Sequence, residues 1–153
     1  MEFKFRRSHF FLSIISLLFF FSCSESESEN SVVVLDAYLN KPLEGAQSSA
    51  AYMNLRNTSD YKIKVKGLTC NNLLVEFHKT VIGDFGMLSM NKLDLITLEP
   101  KSEIALKPGK EHIMLMGKGI SSKTKGINCD LIVEDINSFP PFKRVPIFFE
   151  FRG

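Results

Sequence analysis

The chain has 153 residues, enough for one domain around a single core and too few for most two-domain enzymes. Its 19 Lys and Arg against 17 Asp and Glu give a net charge of +2, which supplies no broad cationic face and argues against nucleic-acid binding. Hydrophobic content is ordinary at 44%, but 14 Phe beside no Trp is skewed, and seven of the Phe precede residue 22.

Lys4, Arg6 and Arg7 lead into Phe10 to Phe21, an apolar run broken only by Ser13 and Ser16. As a helix it spans about 18 Å against a hydrocarbon core of about 30 Å, so residues 1–22 are expected to be an export signal and not a permanent anchor. Phe21-Ser22-Cys23-Ser24 resembles the lipobox of bacterial lipoproteins, in which a small residue precedes a Cys that receives a lipid. The aliphatic residue usual three before that Cys is Phe20 here, which leaves plain cleavage after Ser24 as the alternative. Either way the mature domain is expected outside the cytoplasm, in the periplasm or cell envelope, and in the lipidated form Cys23 is the attachment that holds it to a membrane.

Without residues 1–22 the chain balances at 16 cationic and 16 anionic side chains. Residues 23–30 contain the run SESESEN, which has no apolar side chain to offset the entropy of ordering and reads as a flexible tether. The remainder, residues 31–153, reads as one domain.

From Ser31 onward period-two patterns dominate, and the class is all-β. Tyr61-Lys62-Ile63-Lys64-Val65-Lys66 alternates a core face with a solvated row of lysines. In chain order the other expected strands are Val32–Tyr38, Ala50–Arg56, Leu73–His78, Leu93–Leu98, Glu103–Lys107, His112–Met116, Cys129–Glu134 and Val145–Phe151. Asn57-Thr58-Ser59-Asp60, Lys107-Pro108-Gly109-Lys110 and Ser138-Phe139-Pro140-Pro141 carry turn chemistry between them. Short strands at this spacing favour a β-sandwich or a Greek-key barrel.

His9 leaves with the signal, so the mature domain has His78 and His112. Strand alternation puts His112, Met114 and Met116 on one face and Ile113 with Leu115 on the other. Residues two apart are about 6.6 Å apart along a strand, so His112 and Met114 could form half of a metal site. His78 follows Val75 and Phe77 on the opposite face, at the expected end of its strand. The whole pattern is His78, eleven residues, Met90, twenty-one residues, His112, one residue, Met114.

That spacing resembles the signature of the periplasmic copper chaperones of the PCu(A)C family. Ala51 to Asn57, Val75-Glu76-Phe77-His78, Gly86-Met87, and Pro108-Gly109 ahead of His112 to Gly117 resemble family segments too, over roughly Val32 to Gly117. The resemblance implies a cupredoxin-like Greek-key fold and a copper site made by His78, Met90, His112 and Met114. It further implies a carrier without turnover, whose recipient is the copper centre of cytochrome c oxidase, often alongside a Sco-type chaperone. Lys79 stands where the family often has a second Met, and the segment around Phe139-Pro140-Pro141-Phe142 departs from the usual ending.

Two imidazoles and two thioethers suit a soft monovalent ion, above all Cu(I), whereas Mg²⁺ and Ca²⁺ want oxygen ligands and Cu(II) a tetragonal N and O set. Thioethers need no deprotonation and survive an oxidising compartment; the imidazoles must be neutral, so affinity is expected to weaken as pH falls through the histidine range near 6.5. Met116 is expected to pack and Met53 to lie in the core, with Met87 a spare ligand near the site. Cys70 and Cys129 form an even pair, either a disulfide or two buried thiols. The competing readings are a metal-free structural or adhesive lipoprotein, a blue-copper electron carrier and a hydrolase. The last two lack a Cys followed closely by His and Met, and a Gly-x-Ser-x-Gly elbow.

Overall fold

The computed structural model describes residues 30–118, 120 and 125–153; the export signal, Cys23 and nearly all of the tether lie outside the described residues. Ten strands form a single sheet: β1 Val32–Asn40, β2 Ser48–Asn57, β3 Ile63–Cys70, β4 Leu74–Ile82, β5 Leu88–Leu93, β6 Ile96–Leu98, β7 Glu103–Leu106, β8 Glu111–Met116, β9 Gly126–Glu134 and β10 Phe142–Arg152. The order across the sheet is β5-β4-β8-β2-β1-β10-β9-β3-β6, with β7 also on β2, and the sheet curls into a nearly closed barrel. Among the described residues no helix is long and apolar enough to cross a membrane.

Alternation decides which side of each strand faces inward. In β3, Ile63 and Val65 are fully buried while Lys64 and Lys66 point outward, within 3.9 and 3.6 Å of Glu134 on β9. Leu39, Leu55, Leu115, Leu131 and Phe149, from β1, β2, β8, β9 and β10, meet in the same core, and each contributes about 1.5–3 kcal/mol by leaving water. The expected all-β class holds, and Met53 is a core residue at 1% exposure.

Two expectations about strand boundaries are corrected. The segment assigned to one strand over Leu93–Leu98 is divided: Leu93 closes β5, the chain breaks at Asp94-Leu95, and Ile96–Leu98 is a separate short strand on β3. His78 is not at a strand end, because β4 continues through Ile82 and turns back through Gly83–Met87 into β5. The cause is β5 itself, which lies at the sheet's edge with every residue but Leu93 exposed and so carries no buried-face period.

Cys70 and Cys129 face each other across β3 and β9, and they form a disulfide. At one end of the barrel the buried Asn57 ties two turns together, the one from β2 to β3 and the one from β6 to β7. Its Nδ2 donates to the carbonyls of Tyr61, Leu98 and Glu99, and its Oδ1 accepts from the Ser59 backbone and hydroxyl. A buried side-chain amide is tolerated because both of its ends are satisfied.

Candidate metal centre

The register of three strands gathers the expected ligands. β4 and β8 run antiparallel with His78 opposite His112 and Glu76 opposite Met114, and β5 places Lys92 opposite His78 and Met90 opposite Thr80. Residues directly opposite share a sheet face, and alternate residues along a strand share it too. His78, His112, Met114 and Met90 therefore lie on one wall, away from the core side taken by Phe77, Ile113 and Leu115.

The two imidazoles are in contact distance, with ring centroids 5.9 Å apart and planes at 88°. Met114 is half-buried on the row next to the rings, diagonal to His78. Met90 is also diagonal to His78, on the edge strand, and 61% exposed. Met116 lies on the same wall at the far end of β8, opposite Leu74 and Ser48, half-buried and outside the core; the expectation that it packs there is corrected. Met87 sits exposed in the turn between β4 and β5.

Hydrogen bonds fix the ring tautomers. His112 Nδ1 lies 3.0 Å from the Lys110 carbonyl, which can only accept, so Nδ1 carries the proton and Nε2 of the neutral ring keeps its lone pair. His78 is arranged the other way: its Nε2 donates to Glu76 Oε2 at 3.1 Å, leaving the lone pair on Nδ1. That Nδ1 is buried and has no partner. A buried acceptor without a donor beside a second imidazole leaves a lone pair open to a proton or a metal ion.

Glu76 and Lys92 were missed in the sequence reading. Glu76 Oε1 accepts from Lys92 Nζ at 2.6 Å, and this bond, then the one from His78, holds its carboxyl below the usual carboxylate range. Lys92 is raised by the same partner. The carboxylate is therefore ionised at neutral pH, and its hold on His78 is lost only as the solution is acidified below the ordinary carboxylate range. Strand alternation from His78 points to Glu76; nothing points to Lys92 until β5 is paired.

Glu76→Gln keeps the size of the side chain and removes the charge. It is expected to weaken metal binding at this wall about 10- to 100-fold, as loss of an outer-shell carboxylate on a ligating His generally does. Competition titration of the variant against the parent checks this. Among the described residues no group of three or more His, Cys, Asp or Glu could hold a metal ion.

The family described as "Putative lipoprotein LpqE-like" matches residues 32–130. No curated protein matches the chain. Among solved structures, the copper-bound PCuAC domain from PmoF2 superposes with a TM-score of 0.64 at 21% identity, over 80% of this chain and 93% of that one. The apo PmoF2 PCuAC domain gives 0.63 at 22%, over 80% and 90%. The solution structure of CuI-DR1885 from Deinococcus radiodurans gives 0.60 at 22%, over 83% and 81%. At these identities the likeness is one of fold: the barrel is that of a PCuAC domain.

Proposed function

The chain belongs to the LpqE-like family, and from that premise we propose that it is an extracytoplasmic copper chaperone, binding one Cu(I) on the wall formed by β4, β5 and β8 and releasing it to a partner protein. The observation that carries this reading is the unpartnered, buried Nδ1 of His78 beside His112. Nδ1 of His78 and Nε2 of His112 would supply two nitrogens, and the sulfurs of Met90 and Met114 the rest. Four neutral donors leave the charge of a monovalent ion intact, and soft sulfur favours Cu(I) over Cu(II), Zn²⁺ or Mg²⁺.

The placement of Met90 also suits a carrier. Three donors stand on the inner strands β4 and β8, whereas Met90 is on the exposed edge strand, where an incoming ligand displaces it first. Cargo then passes by stepwise ligand exchange without release to water, and the protein does no chemistry on a bound substrate. The resemblance to PCu(A)C proteins supports the copper centre of cytochrome c oxidase, reached directly or with a Sco-type chaperone, as the destination. The family's lipoprotein description and the lipobox-like segment support a lipid on Cys23 that keeps the carrier at the membrane.

Titration of the chain with Cu(I) against a chromophoric chelator is expected to give one tightly held ion per chain. No Cu(I) retained in competition would remove the chaperone reading and leave a metal-free structural lipoprotein on the same barrel.

A further inference from the structure

The chain enters the barrel at the end organised by Asn57. There the Thr58 backbone N–H donates to the Ser31 carbonyl at 2.9 Å, and Ser31 Oγ donates to Asp135 Oδ2 at 3.0 Å. Asp135 is fully buried and also accepts from the Tyr61 hydroxyl and the Asn137 backbone, each at 3.1 Å. The point where the tether meets the fold is thus pinned to the turn that joins β9 to β10.

That turn is apolar on its outside. Ile136, Phe139 and Phe142 are 71%, 98% and 56% exposed, and none belongs to the core cluster. Three large exposed apolar side chains within seven residues, two on the turn and Phe142 at the start of β10, mark an interaction surface. Lys143 and Arg144 follow at once; the Arg144 side chain is 71% exposed, so it can reach headgroups while the aromatics go deeper.

We propose that this turn is a membrane-contact surface, with Ile136, Phe139 and Phe142 seated in the headgroup region of the bilayer that carries the lipid on Cys23. The inference rests on the lipid-anchor reading. From Cys23 to Ser31 the chain reaches at most about 28 Å, and it joins the barrel beside this turn, so the anchor holds the turn at the bilayer. Tethering makes the contact intramolecular, and three side chains too few to bind a membrane alone then suffice to orient the barrel. Ala51, paired with Ile113 next to the donor wall, lies six residues along β2 from Asn57, about 20 Å from the contact end. His78 and His112 thus stand back from the lipid, and Met90, opposite Thr80 two residues further along β4, is the donor nearest to it, about 10 Å from the level of Asn57.

The chain contains no Trp, so a single introduced Trp reports unambiguously. Full-length Phe139→Trp, purified with its lipid and reconstituted into phosphatidylcholine–phosphatidylglycerol vesicles, is expected to show blue-shifted emission and about twofold quenching by brominated acyl chains. Phe142→Trp is a second reporter at the same surface. Leu43→Trp, 84% exposed in the β1–β2 loop at the opposite end of the barrel, is expected to keep solvent-like emission. Vesicle-bound protein with unshifted emission at positions 139 and 142 overturns the contact and leaves the anchor standing. Equal quenching at position 43 overturns it in favour of general apolar adsorption, and failure of the chain to remain on vesicles overturns anchor and contact together.

Discussion

Replacing His112 by alanine is expected to lower Cu(I) affinity about 100-fold, a larger effect than loss of the Met90 thioether. A four-ligand site for a transition metal is worth about 10–16 kcal/mol in apparent binding free energy, so one strong nitrogen donor accounts for about 3 kcal/mol, or two decades. His112 is the best-prepared donor on the wall: it is 4% exposed, its tautomer is set by the Lys110 carbonyl, and the ordering of its ring is complete before the ion arrives. Met90→Ala is expected to cost about tenfold, because a thioether at 61% exposure is ordered only on binding. The comparison is made by chelator competition, with a melting curve for each variant. His112→Ala leaves the Lys110 carbonyl without its donor, which costs about 1 kcal/mol and is read separately in the melt. Unchanged affinity in His112→Ala would place the copper elsewhere on the molecule.

How far this wall could be read from sequence depended on whether each strand has a buried side. β3 and β8 were plain because Ile63 and Val65, or Ile113 and Leu115, alternate with residues that face outward. β5 was invisible because an edge strand exposed on both faces imposes no period, and its loss moved the expected strand to Leu93–Leu98 and stranded His78 at an apparent terminus. The bulge that breaks β1 between Leu35 and Tyr38, where Asp36 takes a positive φ of 50°, has no signal in an otherwise regular apolar run. The spacing of His78, Met90, His112 and Met114 named the candidate donors, yet only register puts them on one face. Glu76 bonds His78 along β4 itself, whereas Lys92 reaches Glu76 from β5 and becomes legible only once the pairing is known.

The disulfide was open in the sequence for the same reason, since two cysteines 59 positions apart pair only if β3 and β9 are neighbours in register. Removing it in Cys70→Ser/Cys129→Ser is expected to cost about 4 kcal/mol in the loop-closure account and to lower the melting temperature by about 10 °C or more. Copper affinity is expected to change by no more than about twofold. The reason lies in how the donor wall is held. β4 joins β8 through six consecutive residue pairs, from Leu74 and Met116 to Lys79 and Glu111, and both strands bury Phe77, Ile113 and Leu115 beneath the rings. The disulfide closes β3 to β9 and lies ahead of the Asn71–Leu73 turn that starts β4, so it limits the unfolded chain without bearing on the relation of His78 to His112. Calorimetry and chelator competition on the same preparation separate the two effects. A loss of affinity that tracks the loss of stability would mean that the wall is set by the covalent tie and not by the β4–β8 ladder.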